Sequence, residues 1–202
     1  MSFNPRTMAR PLWAALRALL VLTVVTGVAY PLVITGVAQA AFDDRAGGSM
    51  VSADGREVGS ELIGQTWNDA HGDPDPHWFQ PRPSNSGYDP LATGSSQLGA
   101  SDPTLLETVR ETREAVAAFN GVAPEDVPPD AVTGSSSAID PHISPAYADI
   151  QVARVAEENG LPQDAVRRLV EDHTEGRDLG FLGQERVNVL LLNLALRELT
   201  AG

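Results

Sequence analysis

The chain has no cysteine and no lysine among its 202 residues. Without cysteine there is no disulfide, no thiol nucleophile and no thiolate metal ligand, so a domain exported by this chain rests on its core alone. Without lysine there is no P-loop of the G-x-x-x-x-G-K-[ST] kind and no Schiff-base nucleophile. The chain is therefore not expected to hydrolyse nucleotides by itself. Two further absences narrow the chemistry: no G-x-S-x-G and no H-E-x-x-H occurs. No catalytic residue is assigned, and no internal repeat is visible. Positive charge is scarce, with 14 Arg against 27 acids and a net charge of −13. Finally, charge of either sign is missing from Ala18 to Phe42, where the only ionisable group is the phenol of Tyr30.

That uncharged run is what the sequence most plainly has. About 20 apolar helical residues cross a bilayer core. Arg6, Arg10 and Arg17 precede the run, and Asp43 and Asp44 follow it. The arginine bias puts the N-terminus in the cytoplasm and the rest outside. The reading is a cytoplasmic stub (1–11), a transmembrane helix (12–40) and an extracytoplasmic domain (43–202) in a single-pass cell-membrane protein. Ala38-Gln39-Ala40 resembles a signal-peptide cleavage site, so secretion is the rival, although the apolar run is longer than the roughly 7–15 residues of a signal core. Residues 43–202 carry eleven Arg against all 27 acids, a charge of −16. Such a surface repels nucleic acid and gathers cations weakly; it also simply keeps a domain soluble.

Within the helix, Pro31 is expected to produce a kink. Thr23 and Gly27, and likewise Gly36 and Ala40, are four apart, a spacing that lets a partner helix approach. Beyond it the expected class is α+β: one small β-hairpin or sheet and about four helices. Asp54-Gly55 between Met50–Ala53 and Arg56–Val58 predicts a tight hairpin. Asn68 to Asp102 predicts a long loop, packed through Trp67, Trp78, Phe79 and Tyr88. Ser101 or Asp102 caps a helix with Pro103 at its first position and Asn120-Gly121 at its end, its inward face running through Leu105, Leu106, Val109, Thr112, Val116 and Phe119. A second Pro-rich loop spans Val122 to Ser144. Ser144-Pro145 starts a helix that stops at Asn159-Gly160, and Pro162 opens a shorter one. Glu185 to Leu199 predicts a final helix with Leu190, Leu191, Leu194 and Leu199 on its apolar face.

Several segments carry both a functional and a bland reading. His71, Asp73, Asp75 and His77 would share one side of an extended chain and could hold a metal, but acidic Pro-rich loops are ordinarily solvated turns, and no metal site is assigned. Glu171 to Glu175 reads as an exposed helix end. Arg82 in Pro81-Arg82-Pro83-Ser84 is either an anchor at a partner interface or a tie for its own loop. Asp140 suits a turn role and Ser144 a cap role within Ser135 to Pro145.

In order along the chain stand Gly59-Ser60-Glu61-Leu62-Ile63-Gly64-Gln65, Phe79-Gln80-Pro81-Arg82-Pro83-Ser84 and Gly94-Ser95-Ser96-Gln97-Leu98-Gly99. Ser135 to Ser144, Gln151-Val152-Ala153-Arg154-Val155-Ala156 and Val187 to Leu196 follow. Six such motifs behind one span resemble the C-subunit (KdpC) family of the Kdp potassium-transporting P-type ATPases over nearly the whole chain. Two departures stand out. The family pattern has Gly-Gly-Ser-Asn where this chain has Gly94-Ser95-Ser96-Gln97, and Gly before Leu-Asp-Pro where it has Ala138-Ile139. A Gly-to-Ala change matters if the backbone there needs positive φ.

The resemblance implies a non-catalytic subunit of a high-affinity ATP-driven potassium importer. It implies three protein partners: an ATP-hydrolysing P-type subunit, a channel-like subunit that selects potassium, and a small single-span subunit. Membrane lipid completes the partners, and nucleic acid is not among them. It further implies a catalytic-chaperone role that raises the ATP affinity of the pump subunit, with Gln151 as the matching residue and ATP as the associated ligand; no firmly bound cofactor is expected. Expected interface residues are Thr23, Gly27, Arg82, Ser84, Asp140, His142, Ser144, Arg154, Asn188 and Asn193. Because the arginine bias places Gln151 outside the cell, where ATP is scarce, a cap over the external potassium entrance fits orientation and charge better. The alternative is an anchored or secreted binding module with no transporter partner.

Overall fold

A computed structural model describes residues 5–201, in two units that part between Ser49 and Met50. In the first unit α1 (Pro5–Val24) leads through a π-helical turn (Val25–Ala29) into α2 (Tyr30–Ala41), followed by the short α3 (Asp43–Ala46). Ala9–Ala41 is the one helix among the described residues long and apolar enough to cross a membrane. The expected disturbance at Pro31 takes the form of the π turn. A proline ring offers no N–H and collides with the carbonyl four residues back. Widening the preceding turn relieves this, and the Tyr30 N–H reaches back to the Val25 carbonyl instead. Thr26 Oγ1 covers the Leu22 carbonyl at 2.7 Å.

The second unit opens with the hairpin of β1 (Met50–Ala53) and β2 (Arg56–Ser60), antiparallel with Ala53 opposite Arg56. Asp54 and Gly55 both have positive φ, as a two-residue turn of the favoured hand requires. Residues 61–102 then run without a regular strand or helix to α4 (Pro103–Asn120). The Asp102 side chain accepts from the Thr104 N–H, which settles the cap in favour of Asp102, and Gly121 closes the helix in the left-handed region. Along α4, Leu105, Val109, Thr112, Val116 and Phe119 are half-buried as their spacing predicts and Leu106 is exposed; full burial falls at Ala117 and Asn120 near the C-terminal end.

Two short 3-10 turns precede β3 (His142–Ile143) and α5 (Pro145–Glu158). Ser144 Oγ accepts from the Tyr147 N–H at 3.1 Å, the cap its position predicts. Then come α6 (Gln163–Asp172), β4 (Thr174–Glu175), β5 (Arg186–Asn188) and α7 (Val189–Ala201). The described residues of the unit thus form four α-helices, two small sheets and long loops, the α+β class expected.

Two segments depart from their periodicity. Arg186–Asn188 is the central strand of a three-stranded antiparallel sheet ordered β3-β5-β4, not the first turn of the last helix. Thr174–Glu175 pairs with it as an edge strand instead of fraying as a helix end. Partners distant in sequence decide both. On α7 Leu190 is buried as its spacing predicts, together with Leu192, Asn193 and Leu196, while Leu191 and Leu194 are half-buried and Leu199 is exposed. The core gathers Val152, Val155 and Ala156 of α5, Val166 and Val170 of α6, Val187 of β5, and Leu192 and Leu196 of α7, with Phe79 reaching in from the loop.

Candidate functional site

The centre of the second unit is an extended segment, Phe79 to Ser84, held by side chains from three directions. Asn193 on α7 accepts from the Phe79 N–H at 2.9 Å and donates to the Phe79 carbonyl at 2.9 Å. Gln151 on α5 treats the next residue in the same way. Its Oε1 accepts from the Gln80 N–H at 2.7 Å and its Nε2 donates to the Gln80 carbonyl at 3.1 Å. Gln151 and Asn193 are both fully buried. Two amides on two helices therefore supply what a neighbouring strand would supply in a sheet, and no backbone group of Phe79 or Gln80 is left unpaired in the interior. The Gln80 side chain extends the lattice by donating to the Trp67 and Asp75 carbonyls at 2.8 and 2.9 Å.

Arg154 lies one helical turn beyond Gln151. It donates to Gln151 Oε1 (2.8 Å), Asn120 Oδ1 (3.0 Å), the Trp78 carbonyl (3.0 Å) and the Pro76 carbonyl. Its guanidinium carbon sits 4.4 Å from the centre of the Phe119 ring. Burial pulls its pKa down to about 10, with Tyr147, Glu158 and Asp75 acting in the opposite direction. Carbonyls and an aromatic face solvate this cation in place of a carboxylate.

A second cluster ties the far end of the segment to the Ser135–Ser144 motif. Arg82 donates to the Thr133 carbonyl (3.3 and 3.2 Å), the Gly134 carbonyl (3.3 Å) and Asp140 Oδ2 (3.3 Å). Ser84 Oγ donates to the Ala138 carbonyl at 2.6 Å and accepts from the Tyr88 N–H at 3.0 Å. Asp140 Oδ1 accepts from the His142 N–H at 3.0 Å and lies 3.4 Å from His142 Nδ1. Burial alone would raise the Asp140 carboxyl. The hydrogen bonds and charge of His142, with Arg82, outweigh it and hold the group below its ordinary value. Ser144 gives both its N–H and its hydroxyl to Asp130, at 2.7 and 2.8 Å. Asn188 ties the Glu61 carbonyl at 2.8 Å and accepts from the Leu191 N–H at the start of α7.

The predicted residues thus fall into groups. Gln151 and Asn193 converge on Phe79–Gln80, and Arg154 braces Gln151 and the carbonyls of Pro76 and Trp78 beside them; Arg82, Ser84, Asp140, His142 and Ser144 line or brace the second cluster; Asn188 sits apart. Thr23 and Gly27 share a face of the long apolar helix, the Thr23 methyl lying 4.0 Å from where a Gly27 Cβ would stand. Sequence reasoning missed Gln80, Asn120 and Asp130, whose partners are 71, 34 and 14 residues away and leave no local signal. The His71–His77 segment is not extended: Asp69 Oδ1 captures the N–H groups of His71 and Asp73 and turns the chain. Among the described residues, no three His, Asp or Glu gather as metal ligands.

Two clefts flank Phe79–Ser84. One, of about 390 Å³, is lined by Gln80, Arg82, Tyr88, Phe119 and Tyr147 among others. The other, of about 640 Å³, is lined by Asp130, Asp140, His142, Ser144, Glu185 and Arg186. The profile of the family described as KdpC: K+-transporting ATPase, c chain, matches residues 12–198. The chain belongs to the KdpC family. It is 51% identical to the potassium-transporting ATPase KdpC subunit of Streptomyces coelicolor, over 96% of this chain and 94% of the relative. The KdpC subunit of Kineococcus radiotolerans is 50% identical over 98% of both. That of Sorangium cellulosum is 51% identical over 90% of this chain and 94% of the relative. The KdpC match reaches into both units, from the long apolar helix to α7.

Proposed function

We propose that the chain is a subunit of a potassium-transporting ATPase that assembles and stabilises the complex without itself carrying out the chemistry. The carrying observation is the family match from residue 12 to 198, which takes in most of the apolar helix and nearly all of the second unit. The helix inserts beside the spans of the partner subunits, with Thr23 and Gly27 permitting close approach. The arginines before it hold the N-terminus in the cytoplasm and leave the second unit outside. There its charge suits a cap above the external potassium entrance. The partners are the ATP-hydrolysing P-type subunit, the channel-like subunit and the small single-span subunit that the family resemblance implies.

The motif side chains support a scaffolding role, because they are spent on intramolecular bonds. Gln151 has no exposed surface and both its polar atoms are engaged. Its influence on ATP use would therefore pass through Gln80 and the 390 Å³ cleft that Gln80 lines, not through direct contact. The test is affinity purification of the full chain from potassium-starved membranes in mild detergent, with mass spectrometry of what accompanies it. A P-type ATPase and a large multi-span subunit in fixed proportion are expected. Recovery of the chain alone, while those proteins are present in the membrane, would reject the subunit reading.

A further inference from the structure

Between β4 and β5 the chain makes a small hairpin whose tip is apolar and points into water. Leu179 is 83% exposed and Phe181 68%, with Leu182 beside them. Apolar side chains this exposed and this close together are uncommon on a surface that has no partner. The tip is built, not frayed. The Asp178 and Leu182 N–H groups each bond the other residue's carbonyl at 2.9 Å, the Phe181 N–H bonds the Asp178 carbonyl, and the Gly180 N–H bonds the Arg177 carbonyl. Leu179 is held at a φ of 53°, a left-handed conformation that a leucine adopts at a cost. At the neck Arg186 pairs with Glu175 at 2.7 Å and with Asp178 at 4.0 Å.

The same neck forms one wall of the 640 Å³ cleft. Glu185 and Arg186 face Asp130, Asp140, His142 and Ser144 across it. Both arginines of the cleft are already paired, Arg82 with Asp140 and Arg186 with the neck acids. Glu185 has no basic partner among the described residues, and Asp130 is bonded only by Ser144. The region therefore combines an apolar knob with an acidic recess directly at its base. Interfaces have this anatomy, with an apolar anchor inside and a polar rim around it. A lipid surface does not fit, because headgroup phosphates would meet the uncompensated carboxylates.

We infer that the Leu179–Leu182 hairpin is the docking knob of the second unit, and that its occupant is a protein surface offering an apolar socket edged by Lys or Arg. This rests on the subunit reading above, which makes another chain of the potassium-transporting ATPase the owner of that socket. The absence of cysteine makes the test direct, since one introduced thiol is a unique handle. The full chain carrying Phe181→Cys, with a short photo-crosslinker on the thiol, is assembled with the other ATPase subunits in native membranes and irradiated. Leu91→Cys, at a site 95% exposed on a different loop, is the reference. The expected result is a crosslink from position 181 to an ATPase subunit at least tenfold more abundant than from position 91. Adding Leu179→Asp should remove most of it, and circular dichroism should show that this exposed change leaves the fold intact. Equal crosslinking from both positions, or adducts with lipid alone, overturns the knob. If the complex co-purifies while position 181 stays silent, the knob fails and the subunit reading stands. If nothing co-purifies with the unmodified chain, both fail.

Discussion

Gln151 Oε1 lies 2.7 Å from the Gln80 amide nitrogen and Gln151 Nε2 lies 3.1 Å from the Gln80 carbonyl oxygen, so one side chain closes the ring that an adjacent β-strand would close. Asn193 does the same for Phe79. Replacing Gln151 by Ala strands a buried donor, a buried acceptor and one of Arg154's bonds. At about 1–3 kcal/mol per unsatisfied group, a loss of about 3 kcal/mol is expected. Asn193→Ala should cost a similar amount. Because both hold one segment, the double variant should lose less than the two separate losses added together. Urea unfolding of the full chain in detergent micelles measures all three; strict additivity would mean that the two clamps act on independent units.

Two of the residues that depart from the family pattern stand where the backbone is left-handed. Ala138 has a φ of 63° and is buried, and Gln97 has a φ of 56°. An L-residue with a Cβ pays roughly 1–2 kcal/mol in that region, and Asn tolerates it better than most. Ala138→Gly should therefore stabilise the chain by about 1 kcal/mol after the added chain entropy of glycine is set against the gain. Gln97→Asn should stabilise by a few tenths. Thermal melts of the single variants test this, and a loss of stability in Ala138→Gly would show that the methyl packs well enough to outweigh the strain.

Local chemistry made much of this fold readable, and distance hid the rest. The caps at Asp102 and Ser144, the stops at Gly121 and Gly160 and the Asp54-Gly55 turn involve neighbours a few residues apart, and each stands where its chemistry predicts. Arg186–Asn188 reads as helix because it adjoins a helical apolar run; its strand state comes from β3 and β4, 46 and 11 residues earlier at the Asn188–His142 and Arg186–Glu175 contacts. The site divides likewise. Asp140 and Ser144 were legible through turn and cap chemistry, while Gln80 and Asp130 matter only because the fold delivers Gln151 and Ser144 to them.

Acid should loosen the second cluster through Asp140. Its carboxyl is held below the ordinary value in the folded chain, since the bonds and charges of His142 and Arg82 outweigh burial. The unfolded chain therefore binds the proton first as pH falls. The resulting stability is fully present above the unfolded value of about 3.9 and disappears as pH drops through the lower, folded value. Asp140→Asn should be less stable than the parent at pH 7, and the gap should narrow from about pH 5 downward. Parallel lines of stability against pH for the two proteins would assign the acid sensitivity elsewhere.

Arg154 shows how a buried cation is kept without a counter-ion. Its donors are shared among Gln151, Asn120 and the carbonyls of Pro76 and Trp78, with the Phe119 ring over the guanidinium. Arg154→Met fills similar volume but leaves those acceptors bare, and a loss of about 3 kcal/mol is expected. Arg154→Lys keeps the charge yet cannot reach the same fan of acceptors with one ammonium, so it should rescue less than half of the loss. Full rescue by Lys, in the same urea titrations, would show that charge rather than planar geometry is what the site requires.

The acidic surface carries the functional prediction. Glu125, Glu157, Glu171, Asp172 and Glu198 are exposed, and no ion pair among the described residues uses them. Converting all five to the matching amides changes the formal charge without touching the clamps, and surface changes of this kind usually alter stability by less than about 0.5 kcal/mol each. If the second unit caps the external entrance, its field concentrates potassium there, and five fewer charges should raise the external potassium concentration for half-maximal uptake about twofold while leaving the maximal rate unchanged. The effect should fade at high ionic strength, where screening shortens the reach of the field to a few ångströms. Uptake by potassium-starved cells carrying the variant complex is the measurement, and an unchanged half-saturation at low salt would leave the surface charge with solubility as its only role.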